Sequence, residues 1–166
     1  MIHVPAPDPF AVFGLPRSLD VDERDLERRY LRLSRECHPD RHREQEVGDC
    51  LAVLQRAAEI NDAWKVLRDP WQRAKALLER LQPGVLDKNK KLDPMFLADA
   101  LELAEEAAFA SGAAAVALRQ RLEATVQADL QTLRELVARG DLDAAARQVH
   151  ASHYHRKALQ DLEAKP

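Results

Sequence analysis

His38 and Asp40 stand two residues apart around Pro39 in the stretch SRECHPDRHRE, an imidazole and a carboxylate set among basic side chains. Four chemistries fit such a group: an acid–base pair, half of a metal site, a plain turn, or a contact for another protein. The acid–base reading is poorly supported. Alternate residues around a proline rarely face one substrate, and no nucleophilic Ser or Cys with an oxyanion donor is identifiable beside them. A metal could draw on His38 and His42, or on His150, His153 and His155 near the C-terminus. His150 and His153 lie one turn apart, but no Cys or carboxylate completes a recognisable set, so solvated histidines are the plainer reading. Arg24, Arg28, Arg32 and Arg35 could touch phosphate; interleaved with Glu23, Glu27 and Glu36, they also read as an ordinary charged helix face.

The helix that carries these arginines is expected to start near Val21 to Glu23, with Ser18 or Asp20 as its cap. Its apolar side is Leu26, Tyr30, Leu33 and Cys37, at helical spacing, and Pro39 must end it. A second long helix, from about Asp49 to Arg68, turns Val53, Ala57, Ile60, Trp64 and Leu67 to one side. Asp69-Pro70 stops it and opens a shorter piece, PWQRAKALLER, with Pro70 in its first turn. A short apolar segment, Pro9 to Leu15, precedes them. Two antiparallel helices joined by the His-Pro-Asp loop and flanked by short helices follow.

The stretch LQPGVLDKNKKLDP lacks periodicity and reads as a linker over 81–93, separating a first domain, 1–80, from a second, 94–166. Three more helices are expected, about Pro94 to Ala110, Ala113 to Arg139 and Leu142 to Ala164. The middle one carries Leu122, Val126, Leu130, Leu133 and Val137, a stripe suited to antiparallel neighbours. With five glycines and almost no alternating β-branched runs there is little material for a sheet, and the fold class is all-α.

Whole-chain properties narrow the function classes. The 166 residues are 46% hydrophobic and 32% charged, enough for a packed core. A net charge of −3 and 5% aromatics argue against nucleic acid as the partner. No apolar run approaches a membrane span, and MIHVPAPDPFAVFGLP does not read as an export signal. Cys37 and Cys50 lack CxxC spacing, which suits reduced thiols and a cytoplasmic location.

The segment LERRYLRLSRECHPDRHRE followed by AAEINDAWKVLRDPWQRA resembles the J domain of DnaJ-type co-chaperones. It has Tyr-x-x-Leu on one helix, His-Pro-Asp in the loop, and Ile-Asn-x-Ala-aromatic-x-x-Leu-x-Asp-Pro on the next. Cys37 stands where a ring usually precedes His-Pro-Asp. The chain lacks the Gly/Phe-rich linker and Cys-rich zinc module of a general DnaJ. Phe13-Gly14-Leu15, the run from Ile60 to Leu78, and Phe96 to Glu106 instead resemble the HscB family of iron–sulfur co-chaperones across essentially the whole chain. Animal members carry a cysteine-rich zinc extension that this sequence lacks, so no metal or cofactor is expected.

That resemblance implies no enzyme activity of its own. It implies a J domain that stimulates the ATPase of an HscA/DnaK-type chaperone, and a C-terminal bundle that holds the scaffold protein IscU. His38, Pro39 and Asp40, with Arg28, Arg32 and Arg35, would then contact the chaperone. Pro39 would limit the entropy lost on docking, Asp40 would accept a charge-assisted hydrogen bond, and the arginines would steer toward an acidic surface. The matching scaffold-binding positions are Leu97, Ala98, Leu101, Glu102, Glu105 and Tyr154; Ala98 replaces a longer side chain, and Phe109 an acid. From the residues alone two readings of Leu97 and Leu101 stay open. They widen the apolar arc of a helix whose inner face is Phe96, Ala100, Leu103, Ala107 and Ala110. They are either core under another element or a strip edged by carboxylates for a partner. The alternatives in function are a J protein for another client, or a helical binding protein in which His-Pro-Asp is incidental.

Overall fold

The computed structural model describes residues 7–37 and 47–164, with side chains in the second stretch from residue 51 onward. His38, Pro39, Asp40 and His42 lie outside the described residues. Among those described every regular element is a helix, and the chain divides into two compact units, 1–80 and 81–166.

In the first unit α1 (Pro9–Phe13) is a single apolar turn. Asp8 caps it, accepting from the Phe10 amide at 3.1 Å, and Gly14 ends it at φ 61°, a left-handed conformation that glycine adopts without a Cβ penalty. α2 (Glu23–Glu36) is capped by neither Ser18 nor Asp20. Asp22 does this, its carboxylate accepting from the amides of Arg24 at 2.9 Å and Asp25 at 3.1 Å. Ser18 instead accepts from the Asp20 amide at 3.0 Å, closing a turn before the helix. α3 (Val47–Arg68) and α4 (Pro70–Leu81) meet at Asp69. Its Oδ1 accepts from Trp71 at 2.7 Å and Gln72 at 3.0 Å, so one Asp-Pro pair ends one helix and caps the next.

α2 and α3 form the expected antiparallel hairpin. Tyr30 stacks on Trp64 with centroids 4.5 Å apart, and its hydroxyl donates to Asn61 Oδ1 at 3.1 Å. The Arg68 guanidinium sits 5.8 Å from the Trp64 ring centre, adding a cation–π contact. Phe10, Leu26, Ile60, Leu67, Leu77 and Leu78 fill the core, each worth about 1.5 to 3 kcal/mol of burial. Arg73 is buried with them. Its Nε donates to the Leu67 carbonyl at 2.8 Å and its Nη1 to the Leu19 carbonyl at 2.7 Å, so a charged group ties two backbone segments inside an apolar core.

The second unit holds α5 (Val85–Lys88), α6 (Pro94–Phe109), α7 (Gly112–Ala138) and α8 (Leu142–Glu163). α8 is central, packing on α7, α6 and α5. Its Ala145, Ala146, Ser152 and Ala158 are all buried, and such small residues let neighbouring helices approach closely. Ala107, Leu118, Leu122, Ala158 and Leu162 make one core cluster, against which Leu103, Ala110, Ala115 and Leu159 pack.

The stretch 81–93, read from composition as a linker, carries structure. Val85 is fully buried, and Asn89 donates to Asp143 at 2.7 Å while accepting from Arg147 at 2.8 Å. Lys88 pairs with Asp143 at 3.0 Å. The missing periodicity is that of a helix too short to show one; its partners lie more than fifty residues downstream.

Candidate functional site

Two surfaces assemble the side chains of interest, one in each unit. On α2 the arginines separate by geometry. Arg29 turns inward: its Nη1 donates to the carbonyls of Phe13 at 2.9 Å and Gly14 at 3.1 Å, satisfying groups at the end of α1, while Nε holds Asp25 at 2.7 Å. Arg28, Arg32 and Arg35 remain exposed. Arg28 pairs with Asp25 at 3.0 Å, and Arg32 approaches Glu36 only to 3.9 Å. The Asp25 carboxyl is held below the usual carboxylate range, first by its hydrogen bond from Arg29 and further by the Arg29 and Arg28 charges.

These three arginines line a shallow groove with Glu36 and Leu31. Leu31 is 45% exposed, an apolar side chain among basic ones that the sequence reading did not single out. Its signal was positional: it lies one residue out of phase with Leu26, Tyr30 and Leu33. At the end of α2 the Cys37 amide donates to Leu33 at 3.0 Å, so the helix runs intact to the residue before His38.

On α6 the open question about the leucines has an answer in exposure. Ala100 and Ala107 are buried and Phe96, Leu103 and Ala110 half-buried, so the inner face is the expected one. Leu97 is 39% and Leu101 63% exposed; they lie at the surface and are not core. Ala98, Glu102 and Glu105 are exposed beside them. Tyr154 joins from α8, its ring edge-on to Phe96 with centroids 5.8 Å apart, and it stays 39% exposed. Met95 and Phe109 are also exposed, at opposite ends of the helix. Glu106 is paired with Arg121 of α7.

Two of the three C-terminal histidines, His150 and His155, do structural work. His150 Nε2 donates to the Leu86 carbonyl at 2.9 Å, helping hold α5 on α8. His155 Nδ1 meets Asp129 at 2.7 Å, whose other oxygen accepts from Gln148 at 2.9 Å. Among the described residues no group of three or more His, Cys, Asp or Glu is placed to hold a metal ion, and no helix is long and apolar enough to cross a membrane.

Comparison with known proteins is consistent along the chain. Residues 8–76 match the DnaJ domain, and residues 92–163 match the HSCB C-terminal oligomerisation domain. The co-chaperone protein HscB homolog of Bordetella pertussis is 36% identical over 165 residues, 96% of each chain. The solved chaperone HscB from Vibrio cholerae is similar with a TM-score of 0.81 at 31% identity, over 95% of this chain and 96% of that one. The human co-chaperone protein HscB shares the fold with a TM-score of 0.85 at 24% identity, over 96% of this chain and 82% of that one. A His-Pro-Asp motif between paired helices, a helical second unit, and relatives alike over nearly their full length give one answer: the chain belongs to the HscB family of J-domain co-chaperones.

Proposed function

We propose that this protein stimulates the ATPase of an HscA/DnaK-type chaperone through its first domain, 1–80, and delivers an IscU-type iron–sulfur scaffold through its second, 94–166, in the cytoplasm. The observation that carries the scaffold half is the exposure of Leu97, Leu101 and Tyr154 beside Ala98, Glu102 and Glu105. Apolar side chains left wet on a folded helix and edged with carboxylates fit a partner that brings apolar and basic groups. For the chaperone half, the support is an exposed basic face of Arg28, Arg32 and Arg35 on the helix that precedes His38, Pro39 and Asp40 in the sequence. No chemistry is assigned to His38 or Asp40; they are contacts that trigger hydrolysis in the partner.

The test is steady-state ATPase of HscA with this protein, with the scaffold, and with both. Stimulation by the protein alone and a further rise with the scaffold are expected. Asp40→Asn or His38→Gln should abolish stimulation while leaving the denaturation midpoint near wild type. Wild-type stimulation by either variant would sink the trigger role. Stimulation without any binding of IscU would point to a J protein for another client.

A further inference from the structure

Phe109, the last residue of α6, is 85% exposed, the most exposed large apolar side chain among the described residues. Single apolar side chains on a surface are ordinary. Phe109 is not isolated, because Ala98, Glu102, Glu105 and Phe109 are spaced by four, three and four residues and so form one stripe. The adjoining stripe is Leu97, Leu101, Ala104 and Ala108, also exposed throughout. Two neighbouring stripes are therefore uncovered along twelve residues of helix, about 18 Å at 1.5 Å per residue.

The charge on this face is one-sided. α6 contains no Lys or Arg, and Arg121 offsets Glu106. Glu102 and Glu105 have no ion-pair partner among the described residues. The contact energy is unevenly distributed as well. Position 98 offers only a methyl, while position 109 offers a full aromatic ring that buries more area than any other residue of the stripe. Aromatic side chains, phenylalanine among them, are enriched in interfaces, with polar groups at the rim.

We infer that Phe109 is the anchor of the partner surface on α6, and that the scaffold meeting it has an apolar cleft for this ring with basic side chains next to it, opposite Glu102 and Glu105. The inference rests on the scaffold-binding reading above and adds to it the position of the dominant contact. Its occupant is the same partner that covers Leu97 and Leu101, because the exposed stripes run without interruption from those residues to Phe109 and carry the same sign of charge.

The experiment is calorimetric titration of cluster-free IscU-type scaffold into full-length wild type, Phe109→Ala, Phe109→Leu and the double variant Leu97→Ala/Leu101→Ala, with thermal melts of each. With the ring almost wholly in water, the melts of both Phe109 variants should match wild type. Phe109→Ala should weaken binding by about thirty-fold or more. Phe109→Leu, which keeps most of the apolar volume, should stay within about three-fold. Wild-type affinity in Phe109→Ala, with affinity lost in the leucine double variant, would overturn the anchor and leave the scaffold reading standing. Absence of wild-type binding would remove both. A concentration-dependent dimer abolished by Phe109→Ala, with scaffold affinity unchanged, would assign the ring to a second copy of this chain and overturn the inference.

Discussion

Arg73 and the leucine pair of α6 show opposite relations between a side chain and stability. Arg73 is 4% exposed and donates to two backbone carbonyls. Arg73→Met keeps much of the apolar stem and removes the donors, leaving buried acceptors unmet. A loss of about 2 to 4 kcal/mol in denaturant unfolding is expected, and a loss near zero would show that the carbonyls find other partners. Leu97→Ala/Leu101→Ala removes area that is largely wet already, so its midpoint should barely move. A buried Leu→Ala costs about 2 to 5 kcal/mol, and a drop of that size would contradict the surface placement. The same double variant should lose scaffold affinity by tens to hundreds of fold, about 2 to 4 kcal/mol.

α5 and α2 each make a prediction about an element. α5 is held on α8 by the hydrogen bonds of Asn89, Lys88 and His150, and the Asp143 carboxyl is held low chiefly by its bond from Asn89, then by Lys88. A carboxyl whose folded pKa lies below its unfolded value contributes stability above the unfolded pKa. That contribution disappears as pH falls through the folded value. The stability difference between wild type and Asp143→Asn should therefore be present at neutral pH and shrink below about pH 4. Denaturant midpoints across that range check it; a difference independent of pH would mean that Asp143 acts by packing alone. For α2, reversing Arg28 and Arg32 to Glu should slow association with the chaperone far more than it speeds dissociation. The wild-type on-rate should also fall with added salt, because exposed charges steer only within a Debye length. Surface plasmon resonance at two salt concentrations separates steering from ordinary solvation, in which neither change appears.

For the molecule as a whole, two compact units carrying two surfaces imply two separable losses. An Asp40→Asn chain should still bind scaffold and fail to stimulate hydrolysis. A chain altered at Leu97 and Leu101 should stimulate as well as wild type alone and lose only the increment that scaffold adds. Mixing the two variants should not restore scaffold-dependent stimulation, because delivery needs both surfaces on one chain. Full activity from the mixture would show that they work independently.

Local chemistry was enough to read most helices. Helices expected at about Pro94 to Ala110, Ala113 to Arg139 and Leu142 to Ala164 occur as Pro94–Phe109, Gly112–Ala138 and Leu142–Glu163, since caps, prolines and apolar period all act within a few residues. The J-type pairing was equally legible, because Tyr30, Asn61 and Trp64 recur as a motif whose members touch. Choices between near-equal neighbours were not legible. Asp22 rather than Ser18 or Asp20 caps α2 because only its carboxylate reaches the first free amides. Arg29 leaves the basic face because the end of α1 presents two carbonyls to it. α5 depends on Asp143, Arg147 and His150, and no local window contains both sides of those contacts. The apolar arc of α6 is wider than one neighbour can cover, and periodicity cannot say which edge stays wet. Packing on α8 buries Ala100 and Ala107 and leaves Leu97, Leu101 and Phe109 in water: amino-acid type makes a side chain costly to expose, but only the neighbouring helix decides whether it is.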